Sequence, residues 1–117
     1  MLPKSLRLGG RERFETIFRS RKAIFGSEIA LFFQPSAVPQ TRIGFAFKQK
    51  AFPKSVTRHF LKRKGNAIMR EQYVSLPTGL DIIVLFQRPF KGSMGYKDIE
   101  SALVSLIKRL NKEKNAL

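Results

Sequence analysis

The chain has no cysteine, a single histidine (His59), and 8 carboxylates against 23 lysines and arginines. Each shortage excludes something. Without cysteine there is no disulfide scaffold and no thiol nucleophile, and one histidine alone cannot complete a zinc finger. Missing cysteine is compatible with the cytoplasm but does not by itself place the chain there. No apolar run approaches the roughly 20 residues that a membrane span needs. The segment from Met1 to Gly10 is interrupted by Pro3 and lacks the continuous apolar centre of a signal peptide. The expectation is a soluble, cytoplasmic chain with no membrane partner.

What is present fits one domain spanning residues 1–117. The hydrophobic fraction is 43%, with 11 Phe and 2 Tyr, which is too apolar for a disordered basic tail and enough for one modest core. The formal net charge of +15 predicts attraction to a polyanion, and nucleic acid is the commonest. The charge is also segregated. Ile29 to Arg70 contains no carboxylate, yet carries Arg42, Lys48, Lys50, Lys54, Arg58, Lys62, Arg63, Lys64 and Arg70. A second basic cluster, Arg7 to Lys22, is diluted only by Glu12 and Glu15. A surface built for solubility mixes signs, so the segregation argues for a binding face.

The spacing of apolar residues predicts the elements. Gly10 to Ser20 reads as a helix with Phe14, Ile17 and Phe18 on one face. Ala23 to Phe33 reads as a strand, with Ile29, Leu31 and Phe33 on one side and Ala30 and Phe32 on the other. Gln34 to Gln40 is a loop. Arg42 to Lys48 alternates so that Ile43, Phe45 and Phe47 face a core, while Gly44 and Ala46 make the other face shallow and open. Pro53 to Tyr73 reads as a second helix, with Ser55 as a candidate cap. On its wheel Val56, Phe60, Leu61, Ala67 and Ile68 share an apolar arc. The opposite arc holds Lys54, Arg58, His59, Lys62, Arg63, Asn66 and Arg70. Gly65 weakens this helix by about 1 kcal/mol relative to alanine. Pro77-Thr78-Gly79 is a turn, and Asp81 to Phe86 is an apolar strand expected to be buried on both faces. Arg88 to Gly95 is a loop, and Tyr96 to Asn111 is a third helix of purely structural character. Helix, strands, helix, strand, helix makes an α+β sandwich in one domain.

No catalytic set stands out. The carboxylates are scattered rather than paired, as protein-based two-metal hydrolysis would need, and no metal site is expected. His59 sits among cations that disfavour its charged form, so a hydrogen bond or a phosphate contact suits it better than general-base work. The positive signal is cations beside aromatic rings. Phe14, Phe18 and Phe32 fall on the side of the fold that carries Lys48 and Lys50, the pairing that single-stranded nucleic acid requires. The rings have a second reading, as plain core, and spacing does not choose between the two.

The second helix carries a resemblance. Arg42-Ile43-Gly44, Lys48-Gln49-Lys50 and Ser55-Val56-Thr57-Arg58-His59-Phe60-Leu61-Lys62-Arg63 resemble the bacterial ribonuclease P protein component. Arg7-Leu8, Phe14 and Phe18 match that family's first helix, and Pro77 to Val84 matches its turn and last strand; the likeness spans roughly residues 5 to 110. Three departures stand out. His59 replaces the usual Asn, Phe60 stands at the second Arg of the signature, and Asn66-Ala67 replaces a common Arg-Glu pair.

The resemblance implies a four-stranded sheet with three helices, ordered α-β-β-β-α-β-α, and a left-handed crossover where the general preference is right-handed. It implies the protein subunit of a ribonucleoprotein endonuclease that removes the 5′ leader of precursor tRNA. The chemistry then belongs to the RNA subunit and its Mg²⁺ ions. Lys54, Arg58, His59, Lys62, Arg63, Asn66 and Arg70 would bind the ribonuclease P RNA. A cleft of Phe14, Phe18, Phe32, Lys48 and Lys50 would hold the leader of precursor tRNA, with Arg58 and Lys62 at its border. No protein partner is implied. Three other readings remain at this point: a ribosomal or assembly protein that binds RNA without a role in cleavage, a protein-only nuclease, and a non-specific single-strand DNA binder.

Overall fold

The computed structural model describes residues 2–20, 22–90 and 95–116. Arg21 and the Lys91 to Met94 part of the expected loop lie outside the described residues. The elements are α1 (Arg11–Ser20), β1 (Ala23–Phe25), β2 (Ile29–Pro35), β3 (Arg42–Phe47), α2 (Ser55–Gln72), β4 (Leu80–Phe86) and α3 (Tyr96–Ala116). Short 3₁₀ turns occupy Lys4–Leu6 and Tyr73–Ser75.

The four strands form one sheet in the order β1-β2-β4-β3. β4 is antiparallel to β2 and parallel to β3, so the connection through α2 is the crossover between parallel strands. Every residue of β4 is buried. The reason is positional: β4 is paired along both edges and covered on both faces. One face, through Ile82, Val84 and Phe86, joins Ile29, Leu31, Phe33 and Ile43 beneath α2 and α3 in the main core. The other face, through Ile83, joins Ile17 and Leu8 beneath α1 in a smaller core.

The uninterrupted strand expected over Ala23 to Phe33 is a hairpin instead. β1 and β2 pair antiparallel with Phe25 opposite Ala30. Gly26 donates its backbone N–H to the Ile29 carbonyl at 2.9 Å, closing a turn over Ser27 and Glu28. A Cβ on Gly26 would lie 2.8 Å from that same carbonyl oxygen, so the turn needs glycine there. The alternation expected for Ile29 to Phe33 holds within β2.

The face of α2 is rotated from its expected position. The buried residues are Leu61, Gly65, Asn66, Ile68 and Met69, whereas Val56 is 78% and Phe60 48% exposed. The helix turns Gly65 inward because the ring of Phe45 packs there; a Cβ would meet Phe45 Cε1 at 2.6 Å. Lys54, not Ser55, holds the position before the helix, and no side chain caps it. α3 runs further than expected, to Ala116, and buries Ile99, Leu103, Leu106, Ile107 and Leu110. In the chain between β3 and α2, Phe52 is buried edge-on to Phe47 and Phe86, whose rings stack at 5.0 Å. That anchor fixes the turn bearing Lys48 and Lys50.

Candidate nucleic-acid interface

The site is assembled from α2, β3, the N-terminal segment and α1. Lys54, just before α2, and His59, Lys62, Arg63 and Arg70 on it are all exposed, as their expected role requires. Two members of that set differ. Arg58 is half-buried and donates to the Phe52 carbonyl at 2.8 Å, so it ties the helix start to the preceding turn. Asn66, expected on the cationic arc, is 5% exposed and sits on the buried side. The rotation of α2 explains both, since Met69 and Gly65 belong to the inward arc that Val56 and Phe60 were expected to fill.

Three hollows run together along this helix. His59, Lys62, Arg63 and what remains exposed of Asn66 line one of about 400 Å³. Phe47, Ser55, Arg58, His59 and Lys62 line a second of about 260 Å³. The third is lined by Arg7, Leu8, Phe14, Gly44, Phe45, Lys62 and Asn66, among others. Lys62 borders all three, so the basic face of α2 is continuous with the edge of α1. Arg7 enters because its segment forms a parallel bridge to Ile43 and Leu8 donates its N–H to the Ile43 carbonyl at 2.8 Å. Arg7 was part of the second basic cluster, but no local pattern set it beside α2.

The rings expected in the cleft are neither core nor free. Phe14, Phe18 and Phe32 are half-buried around Ile17, Leu8 and Ile83. Phe18 meets Phe32 edge-on at 4.8 Å, and Phe25 meets Phe32 edge-on at 5.7 Å. Phe25, 57% exposed, extends the row and was missed. Its alternation with buried Ile24 in β1 was the available signal. The shallow face expected at Gly44 and Ala46 is partly filled. Phe14 lies against Gly44, while Ala46, two residues along, is half-buried against the cluster of Leu8, Ile17 and Ile83. Lys48 and Lys50 are exposed on the turn after β3.

Asp81 anchors α1 over this face. Its carboxylate is fully buried and accepts from Arg13 Nε at 2.7 Å and from Arg42 Nε at 2.9 Å and NH2 at 3.0 Å. Burial pushes the carboxyl up, but hydrogen bonds from Arg42, Arg13 and Ser36 outweigh it and hold the group below the usual carboxylate range. Asp81 is therefore a structural anion. Glu15 is likewise engaged, with Arg11 at 3.4 Å.

Against this geometry, comparison with known proteins is decisive. The family model for ribonuclease P matches residues 2–111. The chain belongs to the ribonuclease P protein family. The ribonuclease P protein component of Alkaliphilus oremlandii is 30% identical over 105 residues, 90% of this chain and 90% of that one. That of Finegoldia magna is 26% identical over 113 residues, 97% of each. Among solved structures, the RNase P protein from Thermotoga maritima superposes with a TM-score of 0.75 at 28% identity, covering 88% of this chain and 96% of that one. The Staphylococcus aureus RNase P protein shares the fold, with a TM-score of 0.78 at 20% identity, over 90% of this chain and 94% of that one. Ribonuclease P is an endoribonuclease that processes the 5′ end of tRNA, and proteins of this family are its RNA-binding subunit, partnered with the ribonuclease P RNA. The three-helix, four-stranded arrangement is the family's.

Proposed function

We propose that Lys54, just ahead of α2, and the exposed Lys62, Arg63 and Arg70 of α2, with His59 among them, contact the ribonuclease P RNA, while Arg58 and Asn66 brace that surface. The row Phe14, Phe18, Phe32 and Phe25, together with Lys48 and Lys50, holds the single-stranded 5′ leader of precursor tRNA. The observation that carries the reading is the junction at Lys62, where one basic trough runs from the face of α2 to the ring of Phe14. Phosphate contacts position without reading sequence, and stacked rings tolerate any base. Both suit a leader that varies from one tRNA to another. The work takes place in the cytoplasm.

Mg²⁺ enters through the RNA. Among the described residues, no group of three or more His, Asp or Glu comes together, and Asp81 is closed between two guanidiniums. The cations that line the face of α2 suit phosphates, and in this reading the protein's part is to bind and align.

Reconstitution tests the proposal. The protein is mixed with a bacterial ribonuclease P RNA at low Mg²⁺, beside protein alone and RNA alone. Cleavage of precursor tRNA at the mature 5′ end in the mixture, well above either component, is the expected result. Tight RNA binding without enhancement would reduce the chain to a general RNA binder, and cleavage by protein alone would make it a nuclease in its own right.

Two substitutions separate the surfaces. Phe18→Ala should weaken binding of leader-bearing precursor by roughly tenfold, from one lost stacking contact, and leave mature tRNA nearly unchanged. Equal losses for both substrates would remove the ring from the leader path. Arg63→Ala should weaken assembly with the RNA subunit and lower the salt slope of binding by about 1. An unchanged slope would take Arg63 out of the phosphate-contacting set.

A further inference from the structure

Phe60 lies half exposed on the outer face of α2, one helical turn from Val56, which is 78% exposed. An exposed apolar side chain alone is ordinary. Here two of them form a stripe on the most cationic element of the chain. Lys64 Nζ sits over the Phe60 ring, 4.6 Å from its centroid. His59 and Arg63 flank the stripe. The rotation of α2 leaves Phe60 outside the core although aromatic burial is the default gain for such a residue.

We propose that Phe60 is a stacking platform for an unpaired base of the ribonuclease P RNA, with Lys64 and Arg63 on the adjoining phosphates. The inference rests on the reading that α2 faces that RNA. Charge selects this occupant. A second copy of the chain would bring another net charge of +15 to the same place. An anionic membrane needs a broad apolar helix face, and the main apolar face of α2 is already in the core. A nucleotide offers what the stripe lacks, a flat π surface attached to a negative charge. The ring with its cation also distinguishes this position from the phosphate contacts nearby: its contribution to affinity is largely independent of salt, whereas theirs is not.

The test is binding of a bacterial ribonuclease P RNA, without precursor tRNA, by the full chain and its variants across a salt series. Phe60→Ala should weaken binding roughly tenfold with an unchanged salt slope, and Phe60→Trp should keep or tighten it. Phe60→Leu, which keeps bulk and loses the π face, should resemble Phe60→Ala; this variant carries the test should alanine disturb folding in thermal melts. Arg63→Ala, measured alongside, should lower the slope by about 1. Phe60→Ala within twofold of the parent, with Arg63→Ala weakened, would overturn the platform and leave the α2 interface standing. Both variants unchanged would overturn the interface as well. A lowered slope for Phe60→Ala would show that the ring only positions Lys64. A shift in sedimentation between parent and Phe60→Ala would assign the stripe to self-association, and each of these last two outcomes rejects stacking.

Discussion

Replacing Asp81 by asparagine is expected to destabilise the fold by on the order of 3 kcal/mol. The carboxylate has no access to solvent, and it receives two guanidiniums that share its Oδ2, Arg13 from α1 and Arg42 from β3. Asparagine fits the space but removes the charge, and two neighbouring cations are left without the anion they share. The loss sits at the low end of the usual range for a broken buried pair, because the arginine side chains keep 30% and 26% of their surface in water. Urea unfolding at neutral pH checks the magnitude.

The pH dependence checks the cause. The folded-state carboxyl lies below its unfolded value, so its stabilisation is complete above the unfolded carboxylate pKa of about 3.9 and is lost as pH falls through the lower folded value. The gap between parent and Asp81→Asn should be widest near neutrality and close on acidification below roughly pH 4. A gap that stays constant down to acid pH would mean that shape, not charge, is lost. Replacing Arg13 and Arg42 by methionine in the asparagine variant should recover part of the stability, since an apolar cluster carries no uncompensated charge.

The second large effect belongs to Gly44. A Cβ there would lie 2.5 Å from Phe14 Cζ and 3.3 Å from Leu8 Cβ. Gly44→Val is expected to lift the Phe14 ring off the strand and cost about 2 kcal/mol, the usual scale of overpacking. Because Phe14 closes the hollow that Lys62 shares, the variant should also lose precursor binding while retaining assembly with the RNA subunit at low salt. Precursor affinity unaltered in a stably folded Gly44→Val protein would separate Phe14 from the leader path. Asp81 and Gly44 act on neighbouring residues of α1 by different means: one draws Arg13 down by charge, the other lets Phe14 settle by giving up a side chain.

Much of this was readable before any coordinates. Period-two alternation placed Ile29, Leu31 and Phe33 on the core side, and the unbroken apolar run of β4 announced burial on both faces. The carboxylate-free stretch marked the binding helix. Asp81 was not readable as an anchor, because its partners stand 68 and 39 residues away in the chain and no local pattern joins them. The face of α2 was misjudged for a different reason. A hydropathy wheel gives glycine no weight, yet Gly65 is the point where Phe45 packs, and that contact sets the rotation that buries Asn66 and exposes Phe60. The hairpin at Gly26 was signalled by a glycine in the middle of a supposed strand, a feature that ordinarily marks a bend.

The sheet order has a consequence for how the protein is made. β4 lies between β2 and β3 in space but follows both in the chain. A growing polypeptide that has emerged as far as Gly79 therefore carries β2 and β3 with no strand to join them, each presenting an open row of backbone donors and acceptors. Only β1 can pair with β2 at that stage, and a lone hairpin is marginal in water. Synthesis of Leu80 to Phe86 then closes both gaps at once, making the arrival of β4 the step that commits the chain to its fold. Until then the nascent chain is an adhesive, strongly cationic ribbon beside the ribosome's own RNA.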